Sequence, residues 1–149
     1  MIVSTYGSGG GSGGSININA TNISGTGFLF ARGGAAGFGG SVGGVGAGGH
    51  ISVFFNNSQF NVSHADVSAG STAAEVGTIG FIAHDDSIFT THTGWRWLQS
   101  DAAVWNYTVI NISSDLSRVV DSPVNLSANQ VYINNSRMYS EGGTTYSFI

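Results

Sequence analysis

The sequence predicts an all-β protein, and three features of the chain lead to this fold class. Runs of alternating or β-branched residues recur along the chain, while helical periodicity is nearly absent. Glycine supplies 24 of the 149 residues and is concentrated in tracts between these runs. A glycine motif followed by an alternating strand also occurs twice in the same register. Because hydrophobic residues make up 41% of the chain, a folded core is expected despite the glycine content.

Eight runs have the composition of strands and are bounded by turn-forming residues. In Ser15–Ile18 the alternation places Ile16 and Ile18 on one face, and His50–Phe55 alternates in the same way. The other runs are residues 27–31, 78–82, 103–112, 118–120, 130–133 and 144–149. Asp85-Asp86, between two β runs, predicts a turn in which the side chains bond to the backbone.

The repeated unit joins a glycine tract to a strand. The pattern GxGxxG at residues 9–14 precedes the strand at 15–18, and the same pattern at 44–49 precedes the strand at 50–53. A weaker third copy begins at Gly77. A flexible linker has no reason to recur in register with a strand. The repeat therefore predicts stacked coils with inward Ile, Val and Phe ladders, and glycine where coils bend tightly or backbones approach closely.

These segments resemble a known group, the glycine-rich, pectin-lyase-like right-handed β-helix proteins of microbial surfaces. The matching pieces are GGGSGGSINI, ISGTGFLFARGGAAG, GVGAGGHISVFFNNSQF and EVGTIGF, all within residues 7 to 83. The resemblance implies a glycine-rich parallel β-helix-like stack of coils and a structural or adhesive role. It transfers no catalytic residue.

Composition divides the chain into two parts. Residues 1–83 form the glycine-rich repeat region, whereas residues 84–149 contain few glycines and all three tryptophans. The second part is expected to be a less regular β-rich continuation of the stack or a small β module. A β-sandwich is the alternative fold, and strands that complete a neighbouring subunit are a further possibility.

Asn-x-Ser/Thr triplets (sequons) are unusually frequent. They occur eight times, whereas chance placement of 12 Asn and 32 Ser or Thr residues among 149 gives about 2.6. One explanation is that all three residue types favour turns. The other is N-glycosylation of an extracellular protein, which would also hydrate a surface with only 8% charged residues. The predicted sites are Asn19, Asn22, Asn56, Asn61, Asn106, Asn111, Asn125 and Asn134.

The spacing of these sites affects how many of them can carry a glycan. Asn106 and Asn111 are separated by an odd number of positions, so on one straight strand they would point to opposite faces. Both could carry glycans only if neither face is buried there, or if one residue sits at a bend. Asn56 and Asn61 have the same spacing. Partial rather than universal occupancy is therefore expected.

Composition and motif context argue against several functions. There is no lysine, and the four arginines are not clustered in a chain of net charge −4, which argues against nucleic-acid binding. No cysteine is present, and no apolar stretch approaches the roughly 18 residues of a membrane span. The GxGxxG copies run into strands, and the GxSxG matches at 10–14 and 39–43 lack a strand–turn–helix context. We expect no enzyme activity, no catalytic residue, no metal site and no cofactor.

Trp95-Arg96-Trp97 is the predicted contact site for a partner or a glycan. On a strand the two indoles share one face, where they could receive a sugar ring or a partner subunit. The alternative is that they fill the core or cap the end of the stack.

Together these features suggest a secreted or cell-surface structural glycoprotein. It would assemble head to tail with copies of itself into a filament, sheath or adhesin. Its apolar ends, residues 1–6 and 144–149, are candidates for strand addition. The alternative is a carbohydrate-binding or carbohydrate-active β-helix module.

Overall fold

The computed structural model describes residues 7–37, 43–95, 104–113, 125–136, 138 and 145–148. These residues form nine strands and one short 3₁₀ helix, Val62–His64. The strands are β1 (Ser15–Ile23), β2 (Leu29–Phe30), β3 (His50–Ser58), β4 (Ala65–Asp66), β5 (Thr78–Ala83), β6 (Ile88–Thr91), β7 (Val104–Ser113), β8 (Asn125–Asn134) and β9 (Thr145–Phe148). The predicted all-β class is confirmed. The run predicted at 118–120 lies outside the described residues.

Seven strands form one sheet in the order β1-β3-β5-β6-β7-β8-β9, and β2 and β4 form a separate pair. All the pairs are parallel except β5–β6, where the chain reverses direction. The reversal uses the predicted Asp85-Asp86 turn. Asp85 Oδ1 accepts a hydrogen bond from the Ser87 N–H at 3.0 Å, and Asp86 adopts a φ of 54°. The turn prediction is therefore confirmed, because both features are typical of aspartate in turns.

The strands β1, β3 and β5 lie side by side in the main sheet, and we call them the first three rungs. Their register follows the spacing of the sequence repeat. Ile16 lies beside Ile51, as the first two copies of the glycine motif predict, and Ile51 lies beside Ile79 of the weaker third copy. Ile51 and Ile79 are fully buried, whereas Ile16 at the open side of the row is half-buried. A slip of one residue would turn the isoleucines out of the core, so the apolar pattern fixes this register.

The strands of the second part pair with a shorter offset. Asn106 of β7 lies beside Ser127 of β8, which is 21 residues further along the chain. In the first part, by comparison, Asn22 lies beside Asn57 at an offset of 35 residues. β6 was not among the predicted strands, although its IFTT sequence has the β-branched and aromatic composition of one.

Two hydrophobic clusters lie on opposite faces of β5. Phe81 belongs to the cluster around Ile51 and Ile79, while its neighbour Ile82 packs with Phe89 and the buried residues of β7 and β8. Because consecutive strand residues point to opposite faces, β5 is buried on both sides. The predicted division at 83/84 remains a prediction, since the main sheet continues across it through β5 and β6.

The glycine segments (residues 8–13, 31–37 and 44–49) lie side by side and hydrogen-bond with a spacing of three. The N–H groups of Gly34 and Gly37 donate to the carbonyls of Gly11 and Ser8, each at 2.8 Å. Likewise, the N–H groups of Gly10 and Gly13 donate to the carbonyls of residues 44 and 47. The N–H groups of Gly46 and Gly49 donate to the carbonyls of residues 34 and 31. A period of three is that of an extended polyproline II chain, which has no internal hydrogen bonds. The segments therefore satisfy one another's backbones.

Close approach, rather than an unusual backbone angle, explains these glycines. A Cβ on Gly46 would overlap the Gly11 carbonyl oxygen, and one on Gly10 would overlap that of Gly34. Among the described glycines only Gly25, with a φ of 126°, has a positive φ. Of the two roles expected for glycine, close backbone contact is therefore confirmed for these segments, and no left-handed bend accounts for them.

Candidate functional site

The predicted glycosylation sites lie mainly on the exposed surface of the strands. Six are exposed, namely Asn19, Asn22, Asn56, Asn61, Asn106 and Asn134. Asn111 is half-buried, and Asn125 begins β8. Most of the sequons thus occupy strands rather than turns, so turn-forming propensity alone does not explain their number.

An irregularity in β7 affects the geometry of Asn106 and Asn111. The N–H groups of Thr108 and Val109 both donate to the Ser87 carbonyl, at 3.0 and 2.8 Å. Two successive donors on one acceptor are typical of a β-bulge. Thr108 is correspondingly absent from the regular ladder between β7 and β8.

The bulge places both asparagines on the outward face. Tyr107 precedes it on the buried face, and Ile110 and Ile112 follow it on that face. Asn106 and Asn111 each lie next to these buried positions and alternate with them. The odd spacing that predicts opposite faces on a straight strand therefore puts both residues on one side, because a bend lies between them.

His84 brings together two predicted glycosylation sites from different rungs. Its Nδ1 contacts Oδ1 of Asn56 on β3, and its Nε2 lies 3.0 Å from Oδ1 of Asn19 on β1. Asn56, His84 and Asp85 line a surface depression of about 360 Å³. We call Asn19, Asn56 and His84 the Asn–His cluster. No local signal in the sequence points to it, since Asn19 and Asn56 are 65 and 28 residues away from His84.

Other sequons form hydrogen bonds with the adjacent rung or with their own hydroxyl. Asn57 Nδ2 donates to Asn22 Oδ1 at 3.1 Å, between residues paired across β1 and β3. Asn61 Oδ1 accepts from the backbone N–H and the hydroxyl of Ser63, at 3.1 and 2.8 Å. In both sequons these contacts engage the amide oxygen rather than the amide nitrogen.

Trp95 packs inward rather than lying on an open platform. It is half-buried beside Phe89, with ring centroids 5.3 Å apart, and its ring covers Gly80. His50 contacts its ring at 5.6 Å. Its indole N–H has no hydrogen-bond partner among the described residues. Arg96 and Trp97 lie outside the described residues, so the predicted pairing of the two indoles stays a prediction.

An exposed aromatic row occupies β2 and its flanks. Phe28 and Phe30 are 60% and 51% exposed and stack with ring centroids 5.6 Å apart. His64 stacks on Phe28 at 4.6 Å, and the Arg32 guanidinium lies 4.1 Å from the Phe30 centroid. The alternation in FLFAR, with Leu29 packed toward the core, is the signal that could have revealed this row.

Two titratable groups near this region have environments that change their protonation. Burial raises the pKa of Asp66, but hydrogen bonds from the Ser68 N–H and from Arg32 outweigh it and hold the pKa below its ordinary value. Arg32 Nη2 lies 2.5 Å from Asp66 Oδ2. Burial lowers the pKa of His92, partly opposed by a backbone hydrogen bond at Ala65 and the charge of Asp66. Both groups therefore favour their ordinary neutral-pH forms more strongly.

The described residues offer no grouping for metal chemistry. No three His, Cys, Asp or Glu side chains among them converge as a metal ion requires. In the same residues, no helix has both the length and the apolar character needed to cross a bilayer.

No family model, curated protein sequence or solved structure matches the chain.

Proposed function

We propose that the protein is a non-enzymatic extracellular structural glycoprotein. In this proposal it is a segment or subunit of a surface filament, sheath or adhesin that assembles by adding copies of itself. The observation behind it is the in-register parallel stacking of β1, β3 and β5 at the spacing of the repeat. Such a stack grows by adding rungs, and each rung buries its apolar face on the next.

Chain order supports a β-helix-like path for the first part. Residues 15–49 contribute β1 to the main sheet and then β2 to the small pair, and residues 50–77 contribute β3 and then β4. Two successive turns of chain thus visit the same two sheets in the same order. This is the pattern expected of stacked coils, with the glycine segments forming the remaining wall.

The outer edge of β1 supports assembly through strand addition. Its nine residues, SININATNI, contain no charged residue and no proline, the usual devices that block edge pairing. Among the described residues β1 pairs only with β3. Its inward side chains Ile16, Ile18 and Ile23 are only half-buried, so another strand there would cover apolar surface as well as backbone groups.

The distribution of polar side chains supports a glycosylated exterior. Six sequon asparagines are exposed, while charged residues make up only 8% of the chain. Covalent sugars would supply hydration that few charges provide.

Assembly is tested by negative-stain electron microscopy and sedimentation of the purified chain over a range of concentrations. We expect regular filaments, or a sedimentation coefficient that rises steadily with concentration. A monodisperse monomer at every concentration would contradict the assembly proposal.

Glycosylation is tested separately by intact mass before and after deglycosidase treatment of material from the native source. We expect several sugar chains and fewer than eight. Eight unmodified sequons would contradict the glycoprotein proposal and leave the assembly proposal unaffected.

Carbohydrate binding is the second candidate, and the exposed aromatic row favours it. Phe28 and Phe30 present large apolar area beside Arg32 and His64, a mixture typical of binding surfaces. Retention on a panel of immobilised polysaccharides tests it, with the double variant Phe28→Ala/Phe30→Ala as the comparison. Retention that the double variant loses would support this function, and absence of retention would remove it.

A further inference from the structure

Two predicted glycosylation sites share one hydrogen-bonding partner. Asn19 and Asn56 belong to rungs that are adjacent in the sheet, and the His84 ring lies against both amides through different nitrogens. The three residues are exposed, so sugars could reach either amide. The chemistry of the imidazole therefore decides how the two amides can be oriented.

An imidazole that carries one proton has one N–H donor and one lone-pair acceptor. It donates to the carbonyl oxygen of one amide. At its other nitrogen only an amide N–H can form a hydrogen bond, which requires that the second asparagine turn its NH₂ toward the ring. The oxygen and nitrogen of an asparagine amide exchange by a half-turn, so either residue can take either role. One of the two amide nitrogens then faces the ring, and the other faces away.

A glycan is attached at the amide nitrogen of asparagine. A nitrogen that faces the imidazole at hydrogen-bonding distance has no space for a sugar. We propose that His84 makes glycosylation of the two sequons largely exclusive, so that the folded protein carries a glycan on Asn19 or on Asn56 far more often than on both. This inference rests on the proposed glycoprotein function. The depression beside Asn56, His84 and Asp85 gives an attached sugar a surface to lie against.

The chain offers a convenient fragment for the test. Its only glutamates are Glu75 and Glu141, so cleavage after glutamate releases residues 1–75 with four sequons, at Asn19, Asn22, Asn56 and Asn61. The double variant Ser24→Ala/Ser63→Ala leaves only Asn19 and Asn56 glycosylatable on this fragment. The double variant Thr21→Ala/Ser58→Ala leaves Asn22 and Asn61, whose amides bond to different residues, as the control pair.

Both variants are expressed in full length from a eukaryotic secretion host, and the folded, secreted fraction is collected. After the glycans are trimmed to a single sugar, the mass of the 1–75 fragment gives the fractions with zero, one and two glycans. For Asn19 and Asn56 we expect a doubly modified fraction about fivefold below the product of the two single occupancies, the factor that one net hydrogen bond is worth. The control pair should match its product.

Adding His84→Ala to the first variant should restore the doubly modified fraction to the product of the single occupancies. Circular dichroism verifies that this variant folds. If the variant does not fold, the comparison of the two sequon pairs in the presence of His84 still decides the question.

The outcomes separate the two proposals. Absence of glycans on both pairs would overturn the exclusion, whereas the glycoprotein function would be overturned only by all eight sequons being unmodified in native material. Glycans on the control pair together with independent occupancy of Asn19 and Asn56 would overturn the exclusion alone. Exclusion that persists after His84→Ala would also overturn it, because the cause would then lie elsewhere than in the imidazole.

Discussion

At the scale of single residues, the glycine segments pack closely because their glycines have no side chains. Gly46 lies so close to Gly11 and Gly34 that a methyl group would overlap backbone atoms. Gly44, in the same segment, has open space around its Cβ position. The sequence alone does not distinguish these two glycines. In the structure they differ in whether backbone atoms occupy the position of a Cβ.

We therefore predict different costs for alanine at these two glycines. Gly46→Ala should lower the free energy of unfolding by about 1–3 kcal/mol or more, because the backbones it would overlap must move apart. Gly44→Ala, the matched control, should change it by no more than about 0.5 kcal/mol. Urea unfolding followed by circular dichroism measures both. Equal costs would contradict close packing of the segments.

The histidines give a second prediction at this scale. Burial lowers the pKa of His50, and it lowers that of His92. In the unfolded chain these histidines bind protons below about pH 6.5. In the folded protein their lowered pKa keeps them neutral to a lower pH. The contribution of these two groups to stability should therefore be constant above about pH 6.5 and should fall as the pH drops below it.

Denaturant unfolding at a series of pH values from neutral to mildly acidic measures this effect. His92→Gln should show a shallower decline than the unmodified chain, since it removes one of the two groups. A stability that rises as the solution is acidified would contradict the burial of both imidazoles.

At the scale of elements, the ladder of isoleucines joins the first three rungs. Ile51 lies between Ile16 and Ile79 and is fully buried, whereas Ile16 at the open edge is half-buried. Ile51→Ala should cost about 2–5 kcal/mol by the usual penalty for a cavity in a packed core. Ile16→Ala should cost clearly less. Urea unfolding gives both values, and a larger cost at Ile16 would contradict the proposed open end of the ladder.

Much of this element structure could be predicted from sequence because the repeat and the alternation act together. The spacing of the copies places isoleucine beside isoleucine in successive rungs, so register follows from local pattern. β4 could not be predicted in this way. It consists only of Ala65–Asp66, and its pairing with β2 depends on the path of the whole turn rather than on its own composition.

The candidate sites were less accessible to sequence reasoning. The sequons could be located because their pattern is local, and six of their asparagines are exposed. The Asn–His cluster depends on separate rungs meeting at His84, which the sequence does not encode in any short motif. The sequence predicts a bend near Thr108 only as a condition for glycosylation of both Asn106 and Asn111. A β-bulge also depends on the neighbouring segment that supplies its hydrogen-bond acceptor.

At the scale of the whole molecule, the uncharged edge of β1 predicts how the proposed assembly can be blocked. Asn17→Lys places a charge in the middle of this edge strand, where natural proteins use lysine against edge pairing. We expect filaments or large species to be lost or greatly reduced. Thr26→Lys, in an exposed loop after β1, adds the same charge elsewhere and should leave assembly intact.

Sedimentation velocity at equal concentrations compares the two lysine variants with the unmodified chain. Equal loss of assembly in both would assign the effect to net charge rather than to the edge of β1. Unchanged assembly in both would place the contact on another surface.

The single reversal at β5–β6 has a consequence for the polarity of any such assembly. Since β1, β3 and β5 run one way and β6 to β9 run the other, the two outer strands of the main sheet point in opposite directions. Copies joined by simple translation would meet with β9 of one antiparallel to β1 of the next. Each junction would then repeat the direction change that the monomer already makes internally, and antiparallel pairing is slightly more stable per residue than parallel pairing. The reversal at β5–β6 would thus give such an assembly an up–down alternation of strand blocks along its axis.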